Sequence, residues 1–311
     1  MALRRIAASA LLLLAAGVAR ATDPAPAPTH FTLTPVGEGV YAAIAKEGDR
    51  ASGANAGFVI GGNAVLVVDA FLAPPAAEEL LREIRRLTPL PVRWVVNTHY
   101  HIDHVGGDPV FAAAGASIVA HENVRAWLRT ENLKFFKDPG PQRDEVGRLP
   151  LPDVTHREGL SIWLGDRKVD VLARPGHTGG DSVVSVPSAG VVFAGDLFWR
   201  DMVPNLIDAS TEPWIATLDG FLQAFPSATF VPGHGEVGKA LEIRLFRDYL
   251  SGLRAAVARG VAEGKSGKEL VDSILPAQKP RYGAWKLFDV FGPRNIELTE
   301  EEVRGTKKLP R

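Results

Sequence analysis

The 311-residue chain contains no cysteine. That absence removes disulfides, thiolate ligands, thiol nucleophiles and cysteine lipid anchors, and leaves His, Asp and Glu to hold any metal. Basic residues are not in excess, 35 against 36 acidic ones, so a nucleic-acid partner, which needs a basic face, is not expected. Long apolar runs are missing beyond residue 18. The one run present, residues 6–18, is thirteen residues long, short of the roughly 20 that a membrane helix needs. It follows Arg4 and Arg5 and precedes Ala19-Arg20-Ala21, which is the layout of a secretory signal peptide over residues 1–21 cleaved after Ala21. The expected mature protein is secreted or periplasmic, without stable membrane insertion. Residues Ile6-Ala7-Ala8 after the arginine pair fit a twin-arginine signal poorly. Losing Arg4, Arg5 and Arg20 takes the formal charge from −1 to −4.

What remains has 46% hydrophobic and 23% charged residues over the whole chain, enough to bury a large core. Residues 22–30, rich in Pro and Ala, form a linker. From residue 31, β-rich runs over 31–46 and 55–70 suggest antiparallel strands. The spacing predicts a helix over 74–86, with acids early and arginines late as the helix dipole favours. A buried strand over 93–98 follows, then helix, strand (117–120) and helix up to 133. Six prolines and glycines between Pro139 and Pro152 mark 134–156 as a surface excursion. Strands return at 160–163, 168–173, 182–186 and 191–194, with a helix over 212–224, a strand and turn over 230–235, and a long helix over 240–263. Such alternation makes the class α/β, with helices packed outside the sheets. Residues 31–238 form the main domain and 239–311 a helical extension packed on it.

Only eight histidines exist, and three of them, with one carboxylate, fall within six positions: His99, His101, Asp103 and His104 in the run Asn97-Thr-His-Tyr-His-Ile-Asp-His-Val-Gly-Gly107. Imidazole and carboxylate are ligands that catalytic zinc accepts. In an extended segment His99, His101 and Asp103 point the same way, and a turn after Asp103 swings His104 round beside them. Gly106 and Gly107 suit a turn leading into a helix. Three further motifs follow in order: Gly176-His177-Thr178, Ala194-Gly195-Asp196 and Pro232-Gly233-His234-Gly235, each after a strand.

His99-x-His101-x-Asp103-His104 with those later motifs resembles the signature of the metallo-β-lactamase superfamily, over most of the chain beyond the leader. The resemblance implies a four-layered αββα sandwich. It implies that His99, His101 and His177 hold one metal, that Asp103, His104 and His234 hold a second, and that Asp196 bridges them. His101, where flavodiiron relatives carry a carboxylate, favours two Zn²⁺ and hydrolysis, although the same ligands accept iron or manganese. On that resemblance two such cations would lie about 3.5 Å apart and could share a hydroxide able to attack a carbonyl, with Asp103 orienting it or accepting its proton. Asp69, ending an earlier strand, is placed to accept a hydrogen bond from a ligand histidine.

Fold cannot choose the substrate. Without cysteine the cysteine-ligand lactamases are excluded, and lactamases with only His and Asp ligands typically lack the bridging aspartate. The full set resembles thioesterases of the glyoxalase II kind, lactonases and related periplasmic hydrolases. Arg281, Tyr282, Lys286 and Arg294 do not match a glutathione-binding spacing. The expected reaction is hydrolysis of a small-molecule ester, thioester or lactone; the alternatives are β-lactam hydrolysis and an accessory metal-binding role in a periplasmic redox system. Trp127, Phe135, Phe136, Phe198, Trp199 and Trp214 are candidate substrate walls, Phe198 and Trp199 foremost because they follow Asp196. Tyr100, between two ligands, reads as buried support.

Overall fold

The computed structural model describes residues 27–136 and 138–310; the expected signal peptide, its cleavage site and most of the linker lie outside them. Seven strands form the first sheet in chain order: β1 (Phe31–Gly37), β2 (Val40–Ala45), β3 (Ala56–Ile60), β4 (Val65–Val68), β5 (Val92–Val96), β6 (Ser117–His121) and β7 (Val154–His156). The β1–β4 pairings are antiparallel and the β4–β7 pairings parallel. The second sheet holds β8 (Gly159–Leu164), β9 (Arg167–Ala173), β10 (Ser182–Val186), β11 (Val191–Trp199) and β12 (Thr229–His234), in the order β12-β11-β10-β9-β8. Only its β11–β12 pairing is parallel.

Three apolar layers order these elements into the αββα sandwich. Between the sheets, Val40, Val59, Leu66 and Val68 of the first meet Val169, Val184 and Phe193 of the second. Outside the first sheet lies the helix Pro74–Leu87, whose apolar stripe of Ala76, Ala77, Leu80 and Ile84 is buried while Arg85 and Arg86 close its last turn. Outside the second, Thr211–Ala224 and the C-terminal Ala240–Ala262 bury Trp214, Phe221, Phe246 and Leu250 against Phe198 and Phe230. The last helices, Gly267–Tyr282 and Phe288–Val303, add Leu270, Ile274 and Ile296 to that cluster. Strands buried on both faces are continuous Val-rich runs, as in β4 and β10.

Three expectations change. The histidine segment is not extended: Ile102–Val105 is a short helix with His101 at its N-cap. Asp196 does not follow a strand but lies within β11, which runs on to Trp199 through register shifts at Gly195. The excursion 134–156 contains the helix Pro141–Arg148 and ends in β7, which pairs with β6. Hydrogen bonding explains the last: a Pro/Gly-rich composition marks the connection but not the few residues between that can reach a sheet edge.

The β2–β3 connection is shaped by Asp49. Its Oδ1 accepts from Ala51 N (2.9 Å), Ser52 N (2.8 Å) and Ser52 Oγ (3.0 Å), and its Oδ2 lies 3.0 Å from His30 Nδ1. Partial burial opposes ionisation, but these donors prevail and lower the Asp49 carboxyl to about 2. Because the folded-state value is the depressed one, the stabilisation is complete above the ordinary carboxyl value near 3.8 and is lost as pH falls through about 2. Asp49→Asn is expected to cost on the order of 1 kcal/mol at pH 7, reduced by solvent screening at this half-buried site. Urea unfolding at pH 7 and pH 2 checks this, since the difference from the parent should shrink at the lower pH.

Candidate metal centre

The site forms where strand ends converge. Asp69, immediately after β4, sits at φ 58, and Phe71 at φ 66, conformations that non-glycine residues hold only where the surroundings enforce them. There the buried Asp69 carboxylate accepts from Thr98 N (2.7 Å) and Thr98 Oγ1 (2.8 Å) and meets His104 Nδ1 at 2.8 Å. This is the support the sequence suggested for Asp69. It directs His104 Nε2 inward. Asn97 Nδ2, 3.0 Å from Asp108 Oδ1, ties the two ends of the same segment.

All seven sequence-derived residues are brought together, in two groups. His99, His101, His177 and Asp196 form one and Asp103, His104 and His234 the other, the donor atoms of each lying within 4.8 Å of one another. Asp103 belongs with His104, not on the same face as His99 and His101, because the helical turn at 102–105 carries both residues away from the extended direction. Asp196 stands between the groups. Its Oδ2 faces the first, 3.2 Å from His177 Nε2 and 3.6 Å from His99 Nε2; its Oδ1 faces the second, 3.1 Å from His104 Nε2 and 3.4 Å from His234 Nε2. Asp103 Oδ2 reaches 3.4 Å from His234 Nε2 and is the most open of the carboxylates, its side chain 28% exposed.

Charge and burial here are in conflict. Burial opposes every charge, yet four histidines around Asp196 hold its carboxyl well below the usual range. Burial raises and His104 and His234 lower the Asp103 carboxyl, with a net fall. His104 is pushed well up by Asp196, Asp69 and Asp103 against burial, His234 up to about 9 by Asp196 and Asp103 against burial, and His99 well down by burial and its histidine neighbours. His99 Nε2, His104 Nε2, His234 Nε2 and Asp196 Oδ1 are buried without a hydrogen-bond partner. Buried polar atoms left so are costly, and four of them aimed at two shared centres fit divalent cations. The cluster can hold metal.

Tight backbone approaches keep it in place. Gly106 and Gly107 have ordinary negative φ; they are required because a Cβ would lie 1.8 Å from Leu72 O and 2.1 Å from Ala70 O. At Gly233 a Cβ would stand 1.9 Å from Asp196 Oδ1. Asn55 pins that loop, with Nδ2 2.9 Å from Pro232 O and 2.8 Å from Gly235 O. Asp181 braces the His177 turn by accepting from Thr178 N (2.7 Å) and Oγ1 (2.5 Å), and burial raises its carboxyl to about 7.

The aromatic candidates separate. Trp199 lies over His234 (4.0 Å between ring centres) and Phe135 against His101 (5.4 Å). Phe198 is buried against Phe246 on the far side of β11 and does not overlook the site, because successive strand residues face opposite ways. Trp214 packs behind His177 and Trp127 beneath Tyr100; Phe136 lines a separate cleft with Leu72 and Ile102. Arg281, Lys286 and Arg294 pair with Asp248, Glu47 and Glu297, and Tyr282 is buried. Three of the supporting residues escaped the sequence reading: Asn55, Asp181, and Asp208, whose Oδ2 is 3.1 Å from His101 Nε2 and 2.6 Å from Tyr100 OH. None of them sits in a spaced motif; for Asp208, a lone Asp between apolar Ile207 and Ala209 was the only trace.

Comparisons agree with this architecture. The family model of the metallo-beta-lactamase superfamily matches residues 49–234, more than half of the chain. A hydroxyacylglutathione hydrolase of Synechococcus sp. (strain JA-3-3Ab) is 30% identical over 162 residues, covering 52% of this chain and 56% of that protein. The acyl-coenzyme A thioesterase MBLAC2 of Gallus gallus is 26% identical over 241 residues, covering 71% and 87%. A linear primary-alkylsulfatase of Pseudomonas sp. (strain ATCC 19151) is 23% identical over 261 residues, covering 70% and 49%. The chain thus spans about half the length of the hydrolase and the sulfatase. Among solved structures, a metallo-beta-lactamase from Pontibacter korlensis superposes with TM-score 0.60 at 23% identity, covering 71% of this chain and 99% of that one. The mono-zinc form of FIM-1 from Pseudomonas aeruginosa gives 0.60 at 20%, covering 73% and 97%.

Gly233→Ala is expected to displace the Asp196 carboxylate and depress divalent-metal uptake on the order of tenfold or more, while Gly220→Ala, with open space at its Cβ, leaves it unchanged. Metal content after dialysis against a buffered zinc series checks both.

Proposed function

Because the chain belongs to the metallo-beta-lactamase superfamily, we propose that it is a metal-dependent hydrolase with two zinc ions, cleaving a small uncharged ester, thioester or lactone, and exported behind the leader of residues 1–21. The carrying observation is Asp196, one oxygen toward each ligand group. His99, His101 and His177 would hold one ion, Asp103, His104 and His234 the other, and Asp196 both. Such ions supply Lewis acidity and water ionised near neutral pH.

The chain's own residues shape the rest. Asp103, at the open edge of the site, is held below the ordinary carboxyl range and is therefore a weak proton acceptor; its role is ligation and orientation of the attacking water. Trp199 covers one side of His234. Beside it opens a cleft of about 670 Å³, lined by Ile44, Met202, Leu287 and Phe291 together with Trp199 and His234. The C-terminal extension contributes Leu287 and Phe291 and is stitched to the segment after β11 through Val203 N to Lys286 O (2.9 Å) and Lys286 N to Asp201 O (2.9 Å). The cations of this cleft are engaged: Lys286 with Glu47 (3.0 Å), Arg200 with Asp201 (3.5 Å) and the Val237 carbonyl, and Lys46 with the Pro28 carbonyl. Asp49 and Glu236 add further negative charge. An apolar acyl group is accommodated there, whereas a substrate carboxylate meets the four acids Glu47, Asp49, Asp201 and Glu236 against three cations, of which Lys46 alone bonds a neutral carbonyl and not an acid. That favours uncharged carbonyl compounds over β-lactams, which carry a carboxylate.

The test is metal analysis of purified protein, with turnover of an uncharged aryl ester, a thioester, a lactone and a chromogenic cephalosporin before and after chelation and zinc return. Two zinc ions per chain and chelator-sensitive turnover of an uncharged substrate are expected, with Asp196→Ala lowering turnover on the order of 10²-fold or more. Cephalosporin turnover alone would move the reading to a β-lactamase, and bound metal with no turnover to the accessory role. Absence of metal uptake overturns it.

A further inference from the structure

We propose that Asp208, partnered by Lys134 and Tyr100, is the positioning residue that makes His101 present Nδ1, rather than Nε2, to the first ligand group. The inference rests on the metal-centre reading for its purpose, but its geometry stands on this chain alone. His99 and His177 turn Nε2 toward Asp196. His101 is reversed: its Nδ1 faces His177 Nε2 at 3.0 Å, while its Nε2 points away, 3.1 Å from Asp208 Oδ2.

Asp208 is an acceptor in that contact. Its side chain is 4% exposed, Tyr100 OH donates to Oδ2 at 2.6 Å, and Lys134 Nζ lies 2.6 Å from both carboxylate oxygens and 2.9 Å from Tyr100 OH. A carboxylate beside an ammonium and a phenol donor is ionised and has no proton to give. The ring proton of His101 therefore sits on Nε2, and Nδ1 is left as a lone pair facing the ligand group. A histidine's free nitrogen is set by the bond its other nitrogen makes.

Lys134 carries this control to another part of the fold. It belongs to the 3₁₀ turn Glu131–Phe135, which buried Asn132 fastens by donating Nδ2 to Tyr100 O (2.6 Å) and Leu128 O (2.9 Å). The next residue, Phe135, packs on the His101 ring (5.4 Å). One turn thus supplies the counter-ion of Asp208 and an aromatic cover for the imidazole that Asp208 orients.

Two measurements test this. Two-bond ¹H–¹⁵N spectra of metal-free protein, with His101 assigned by its loss in His101→Gln, should show the Nε2-protonated tautomer, mixed in Asp208→Asn. Zinc competition should show one of two ions bound about 10- to 100-fold more weakly in Asp208→Asn, with Asp208→Glu recovering part of the loss and Lys134→Met showing a smaller loss in the same direction. Thermal unfolding of the metal-free variants identifies a folding defect; should Asp208→Asn not fold, Lys134→Met and Tyr100→Phe carry the comparison. An Nδ1-protonated His101 in the parent, or unchanged zinc affinity and tautomer in the variants, overturns the proposal. If the parent binds no zinc, the metal-centre reading fails, and the tautomer measurement still decides for or against Asp208.

Discussion

Everything in this protein is arranged around one buried carboxylate. Asp196 sits inside a strand with its side chain 3% exposed, in a layer where charge is costly, and four imidazoles close on its two oxygens. Neither the carboxylate nor the imidazoles are fully satisfied, since His99 Nε2, His104 Nε2, His234 Nε2 and Asp196 Oδ1 are buried without a hydrogen-bond partner. A core would not tolerate such a set without compensation, and the cluster is one that can hold metal. The surrounding structure exists to keep those groups convergent while shielding them from water.

The means of doing so are mostly contacts between main chain and side chain. Asp69, in a left-handed conformation at the end of β4, fixes Thr98 and His104 together. Asn55 holds the loop of His234 against the β2–β3 connection, which Asp49 shapes. Asp181 braces the turn of His177. Each is a buried polar group whose bonds are nearly all made, which is the condition under which buried polarity gives a unique geometry instead of a penalty. Glycines 106, 107 and 233 serve the same end by letting backbone or carboxylate approach where any Cβ would collide.

Much of the fold was legible because its elements differ in period and length. The Pro74–Leu87 helix shows its apolar stripe in sequence, and the buried strands are Val-rich runs bounded by turns. The ligand set was legible too, since three of the eight histidines stand in six positions and the other motifs each follow an apolar run. Reading those positions as extended misassigned the direction of Asp103, because four residues carry too little periodicity to separate a strand end from one helical turn.

By itself, then, the sequence determined the chemistry: which side chains can hold metal, that none is a thiolate, and that apolar layers enclose them. Only the tertiary structure decided the geometry of use. Asp196, directly after the register shift of β11 at Gly195, divides its oxygens between two groups that come from separate strands and turns. Asp208, more than a hundred residues from His101, meets it only when the chain after β11 folds back under the Glu131–Phe135 turn. Contacts between residues so far apart leave no local pattern, since spacing reports only what one helix or strand can place on one face.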